Sequence, residues 1–237
     1  MSKKFTFLTL LLTVFLTANS FAQEADSVFY YEPDLKEIEN IVKNHRNVYD
    51  SLTVCFKNMD SSTMFTIQEA QIIYYGFAFT EGYSPYSNAE ADIVSNYLKE
   101  GEIDKAEAAV KEFLDKNPVL LELYEYQLTI AKRKQDEETY RKAWNQLTML
   151  LDIISDSGDG HTKESPLYVI RVSDEYSVLR CIGATQLLGQ ALVDSPSGAC
   201  DKMDFKLDEE TSKEAGKDSF TLYFNIDLAF SKLSSIF

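Results

Sequence analysis

Two histidines and three cysteines in 237 residues leave few of the side chains from which nucleophilic and metal sites are built. A Cys–His pair would have to bring Cys55, Cys181 or Cys200 to His45 or His161, and His45 lies on a polar stretch between Asn44 and Arg46. No G-x-S-x-G elbow, phosphate-cradling glycine loop or dinucleotide fingerprint occurs, so no cofactor is expected. Basic residues are short as well: 23 against 38 acidic, a formal charge of −15. A surface that acidic repels phosphate backbones and anionic headgroups, which argues against nucleic acid or a membrane surface as partner.

Long apolar runs are also scarce, and the one present is informative. Phe5 to Thr17 carries no charge, follows Lys3 and Lys4, and precedes Ser20-Phe21-Ala22, with small residues three and one positions before Gln23. That layout predicts a secretory signal peptide over residues 1–22, too short to remain as a membrane anchor. The expected location is the periplasm or the exterior. Removing Lys3 and Lys4 from the 23 basic residues leaves 21 against 38 acidic ones, a formal charge of −17 for the remainder. An exported setting permits disulfides. Cys181 and Cys200 could close a twenty-residue loop worth roughly 3 kcal/mol, or all three thiols could stay reduced. Cys55, between Val54 and Phe56, has the apolar company of a buried thiol.

Hydrophobic content of 45% with 26% charged residues is ordinary for a globular chain. From Pro33 to about Ile154 apolar residues recur at helical spacing. Leu35, Ile38, Ile41 and Val42 make a first stripe. Thr66-Ile67-Gln68-Glu69 is a capping box that opens a helix with Ile67, Ala70, Ile73, Tyr74 and Phe77 on its face. Further helices carry Ile93 to Leu98, Ile103 to Leu114 (stopped before Pro118), Leu120 to Ala131, and Tyr140 to Ile154. Short turns between them predict antiparallel helical hairpins. Ile93, Tyr97, Ala106 and Pro118 stand at the spacing of a tetratricopeptide repeat; a shift of 34 residues meets Tyr140 or Ile72 in place of Ala106, so no array follows.

Ser155 to Gly160 is a turn-former cluster and the natural boundary. Beyond it Leu167–Val172 reads as a strand, Ser173 caps a short helix, and 187–193 joins a sheet. Met203, Phe205 and Leu207 alternate with lysine and aspartate, as do Phe220 to Leu228 with polar residues, which predicts an antiparallel hairpin around a charged loop at 208–218. The expectation is an α+β protein: signal peptide 1–22, helical-hairpin region 23–155, connecting loop 156–166, and a small α+β region 167–237 with an antiparallel sheet and a short helix.

Candidate site residues are few. Tyr74, Tyr75, Phe77, Phe79, Tyr83 and Tyr86 fall within thirteen residues around Gly76, Gly82 and Pro85; with Tyr74 and Phe77 assigned to the core, Tyr75, Tyr83 and Tyr86 remain as a candidate binding surface for a protein or glycan. Asp159 and His161 are the weak candidates for a metal. Their spacing fits no zinc motif, and a calcium loop fails where Pro166 takes the place of the closing glutamate.

The strings Tyr74-Tyr75-Gly76, Tyr83-Ser84-Pro85-Tyr86, Ser157-Gly158-Asp159-Gly160 with Ser165-Pro166, Asp174-Glu175-Tyr176, Cys200-Asp201 and Tyr223-Phe224-Asn225 resemble, in order and spacing, an uncharacterised family of exported proteins of Bacteroides-type bacteria, a domain of unknown function. The resemblance implies a Gram-negative periplasmic or secreted setting and brings no catalytic residue. The expected role is a non-catalytic interaction or adaptor module of the cell envelope, with an unknown envelope protein as partner. The alternatives are a carboxylate- or metal-dependent hydrolase and a glycan-binding module.

Overall fold

The structure, a computed structural model, describes residues 30–234; the proposed signal peptide lies outside the described residues. Among the described residues ten helices, most of them N-terminal, and a four-stranded sheet give the α+β class expected. The chain forms two compact units. A helical unit comprises Pro33–Ile153 together with Ile170–Asp174; a sheet unit comprises Ile154–Val169, Glu175 onward, and the described stretch ending at Glu32.

The helical unit begins with α1 (Leu35–Asn44), where the Asp34 carboxylate accepts from Glu37 N at 3.0 Å and Ile38 and Val42 turn inward. The sequence reading lacks α2 (Arg46–Lys57), which buries Tyr49 and Phe56, two turns apart. Helix α3 (Ile67–Gly76) opens on the anticipated capping box: Glu69 N donates to Thr66 Oγ1 at 3.2 Å and Thr66 N to Glu69 Oε2 at 2.8 Å. Its burial does not follow one stripe. Every residue from Ala70 to Gly76 is buried, because α3 packs against both α1 and α2. Gly76 permits that approach: a Cβ there would lie 2.9 Å from the Tyr49 ring and 3.1 Å from Val42.

A 3-10 turn (Phe77–Phe79) leads to α4 (Ala89–Lys99), α5 (Ile103–Lys116), α6 (Leu121–Lys134) and α7 (Glu137–Ser155). Val94, Ala106, Val110, Leu120, Leu123 and Ile130 form one apolar core across α4, α5 and α6. Gly101, at φ +77°, makes the tight link between α4 and α5 that a side chain would strain.

In the sheet unit β1 (Leu167–Tyr168), β2 (Ala184–Ser195), β3 (Gly198–Leu207) and β4 (Ser219–Asn225) lie in the order β1-β4-β3-β2. The β2–β3 and β3–β4 pairs are antiparallel as anticipated, but β1 runs parallel to β4, so the sheet is mixed. Met203, Phe205 and Leu207 are buried and Lys206 is exposed, the period-2 pattern of a half-buried face. Helix α8 (Val172–Cys181) follows β1; the charged loop after β3 holds α9 (Glu209–Ala215), capped by Asp208; and α10 (Asp227–Ser234) replaces the last part of the expected strand. The strand stops because the Asn225 side chain accepts from Asp227 N at 3.0 Å and starts the helix.

Candidate functional site

The aromatic loop is mostly interior. Tyr75 is 0% and Tyr83 6% exposed, whereas Tyr86 is 47% exposed. The surface expected from three tyrosines therefore reduces to one. The cause is the all-round burial of α3 for Tyr75, and for Tyr83 a hydroxyl that donates to the Ile170 carbonyl inside the helical unit. Asp159 Oδ1 accepts from His161 N at 2.8 Å, a local turn. Both residues line a cleft of about 710 Å³ with Leu188, Asp204, Lys217 and Phe220. Among the described residues no group of three or more His, Cys, Asp or Glu gathers to hold a metal. Nor does a disulfide form among them: Cys181 is half-buried and Cys200 buried, both as thiols, and Cys55 is exposed on α2, against the buried position expected of it. Val54 and Cys55 lie on the solvent side of α2, and only Phe56 of that trio points inward.

The strongest electrostatic feature is a buried knot in the helical unit. Arg171, 1% exposed, donates through Nη2 to Asn117 Oδ1 at 3.1 Å, and its guanidinium lies 4.9 Å from the Phe77 ring centre and 5.7 Å from that of Tyr83. Asp174, also 1% exposed, accepts through Oδ2 from the Tyr74 hydroxyl at 2.8 Å, and that hydroxyl accepts from Ile170 N at 3.3 Å. Burial raises the Asp174 carboxyl to about 6, against the opposing pull of the Arg171 charge and the Tyr74 hydrogen bond. Burial likewise drives the Tyr74 phenol well above its ordinary range. A raised carboxyl in an open cleft would suggest general acid chemistry. This one is sealed from substrate, and its work is to fix residues 170–174 within the helical unit. Arg171 escaped the sequence reading, although a lone arginine between Ile170 and Val172 is the signal that could have found it.

Two accessible features were also missed. The first is a groove of about 770 Å³ in the helical unit, walled by α2, α5, α6 and α7. Val54, Val110, Leu114 and Ile130 contribute its apolar lining, and Gln146 Nε2, donating to the Phe56 carbonyl at 3.0 Å, braces one side. Most of its charges are matched: Lys57 pairs with Asp115 at 2.6 Å, while Lys134 pairs with Asp104 at 3.0 Å and Glu107 at 2.6 Å. Lys111 and Lys142 also line it, and among the described residues neither makes an ion pair. The second feature is β2, which among the described residues pairs only on its β3 side, with Leu187, Leu188 and Leu192 exposed by 40%, 54% and 55%.

No curated protein matches the chain, and no solved structure does. One family profile spans residues 36–234, nearly all of the described chain, so the protein belongs to the family described as a domain of unknown function, DUF4919.

Proposed function

We propose that this chain is an exported, non-catalytic protein-interaction module of a bacterial cell envelope. The leader-like pattern of residues 1–22 supports export. The tetratricopeptide-like spacing from Ile93 to Pro118 falls on α4, α5 and the turn after them, the helices that build the core beside the groove. The observation that carries the reading is the groove itself, where apolar side chains of Val54, Leu114 and Ile130 stand among charged ones and Lys111 and Lys142 lie outside any ion pair among the described residues, in a chain of charge −15. The partner that fits is an extended segment with apolar side chains over Val54, Leu114 and Ile130 and a carboxylate between Lys111 and Lys142. Tyr86, on the same unit, is a further contact point. A glycan surface has less support, because stacking platforms need exposed rings and two of the three candidate tyrosines are interior. A carboxylate hydrolase has less support too, since the carboxyl raised to about 6 is enclosed.

Cross-linking of the tagged protein in its native envelope, followed by mass spectrometry, should recover one dominant partner protein at near-equal amount. Lys111→Glu with Lys142→Glu should abolish that capture at unchanged melting temperature. Capture that survives the double reversal removes the groove, and an empty cross-link in the native envelope removes the adaptor role.

A further inference from the structure

We infer that Arg171 is a proton-gated clamp in the helical unit, held on the aromatic loop while Asp174 is neutral and drawn onto Asp174 when that carboxyl ionises. The inference stands on two buried atoms that complement each other. Arg171 engages Asn117 through Nη2, and its Nη1 has no hydrogen-bond partner among the described residues. Asp174 engages the Tyr74 hydroxyl through Oδ2, and its Oδ1 likewise has none. Buried donors and acceptors are rarely left unmatched. These two belong to one turn, since Asp174 N donates to the Arg171 carbonyl at 3.1 Å. Side chains three residues apart at a helix start are neighbours, within reach of an arginine fork.

The arrangement seen suits a neutral carboxyl. The guanidinium lies against the Phe77 and Tyr83 rings and leaves Oδ1 alone. An ionised Asp174 would instead be a buried charge with one donor, a costly state that the nearest cation relieves. Burial raises the carboxyl to about 6, and Arg171 is the cation whose charge opposes that rise. The other titratable neighbours offer no such relief. Tyr74 on α3 and Tyr83 in the loop after it are phenols that burial holds above their ordinary range. Tyr49 on α2, which also feels the Arg171 charge, is pushed up to about 12 by burial. The Glu122 carboxylate on α6 repels the Asp174 charge. The consequence reaches the surface. Phe77 and Tyr83 meet edge-to-face, 6.4 Å between ring centres, at the root of the loop that presents Tyr86, 47% exposed. When Arg171 leaves these rings the loop loses its cationic clamp, so the presentation of Tyr86 follows pH.

The test is NMR of the isotope-labelled protein between pH 5 and pH 8. The Asp174 Cγ resonance reports ionisation. The Arg171 Hδ and Hε resonances report the rings, whose currents displace them while the guanidinium lies on the aromatic faces. Expected is one shared midpoint near 6, with the Arg171 signals losing their ring-current displacement as Asp174 ionises. In Asp174→Asn, which can keep the Tyr74 bond but cannot ionise, Arg171 should hold its acid position throughout. Arg171 signals that stay fixed while Asp174 Cγ titrates overturn the inference, as does an Arg171 titration that persists in Asp174→Asn. An Asp174 Cγ that does not titrate in this range overturns it too. Should Asp174→Asn fail to fold, the parent protein decides, because unequal midpoints for Asp174 and Arg171 refute the coupling.

Discussion

Removing a single hydroxyl tests the buried knot. In Tyr74→Phe the ring remains, but Asp174 loses the donor at 2.8 Å and Ile170 N loses its acceptor at 3.3 Å. A hydrogen bond to an ionised group is worth about 1.5–3 kcal/mol and a neutral one about 0.5–1.5. Near pH 7.5, above the Asp174 value of about 6, the acceptor is a carboxylate, so the summed cost should be about 2–4 kcal/mol. At pH 5 the carboxyl is mostly protonated, and the cost should fall by about 1–2 kcal/mol. The parent protein has its own pH dependence. Its Asp174 titrates near 6 when folded and near 3.8 when unfolded, so the folded unit holds an extra proton between those values. Stability from this group is complete below 3.8 and is lost as pH rises through about 6. Tyr74→Phe extends that loss to higher pH, since the hydroxyl favours the ionised form. Trp144, the one tryptophan, lies on α7 in the helical unit, so urea melts followed by its fluorescence report this unit. Equal costs at the two pH values, or a cost below about 0.5 kcal/mol at both, would refute the role assigned to the hydroxyl.

Two glycines should respond very unequally to the same methyl group. A Cβ on Gly158 would stand 2.3 Å from the Pro166 carbonyl oxygen and 2.8 Å from that of Ser165. Backbone cannot step aside as a side chain can, so Gly158→Ala should cost more than about 4 kcal/mol and appear as lost solubility or rapid proteolysis of the sheet unit. Gly101→Ala meets nothing within 4 Å and bears only its φ of +77°, a cost of about 1 kcal/mol; equal losses would count against the packing described. The thiols should separate by rate. Cys55 is exposed and should label quickly with a maleimide at pH 8, whereas Cys200, pushed up to about 12 by burial and by the Asp201 and Glu175 carboxylates, should label only on unfolding. Peptide mapping that finds Cys200 modified alongside Cys55 would contradict that burial.

What the sequence made legible is what short-range spacing encodes. The Thr66–Glu69 box, the stop before Pro118 and the alternation of β3 and β4 each need only a few residues to state themselves. Helix α2 was obscured because Val48, Val54 and Cys55 are apolar yet exposed, which blurs the stripe of Tyr49 and Phe56. Helix α9, seven residues of mostly charged sequence, hides Thr211 and Ala215 inside what reads as a loop. The burial of Tyr75 could not be read from a period, since a stripe presumes one buried face and α3 is enclosed on all sides. The edge status of β2 depends on strand order, which no single strand carries.

The short strings on which the family resemblance rests nevertheless find one another in space. Tyr74 and Tyr83 bind the segment Ile170–Asp174. Gly158 packs on the Ser165-Pro166 backbone, and Gly160 N donates to the Ser165 carbonyl at 2.8 Å. Cys200 and Asp201 stand opposite Asn225 and Phe224 in the β3–β4 ladder. A set of catalytic strings would converge on one open cleft. These instead meet in pairs, each within its own unit and each at a buried junction. These strings therefore serve packing within each unit, which places the search for function on accessible surfaces such as the helical groove and the β2 edge.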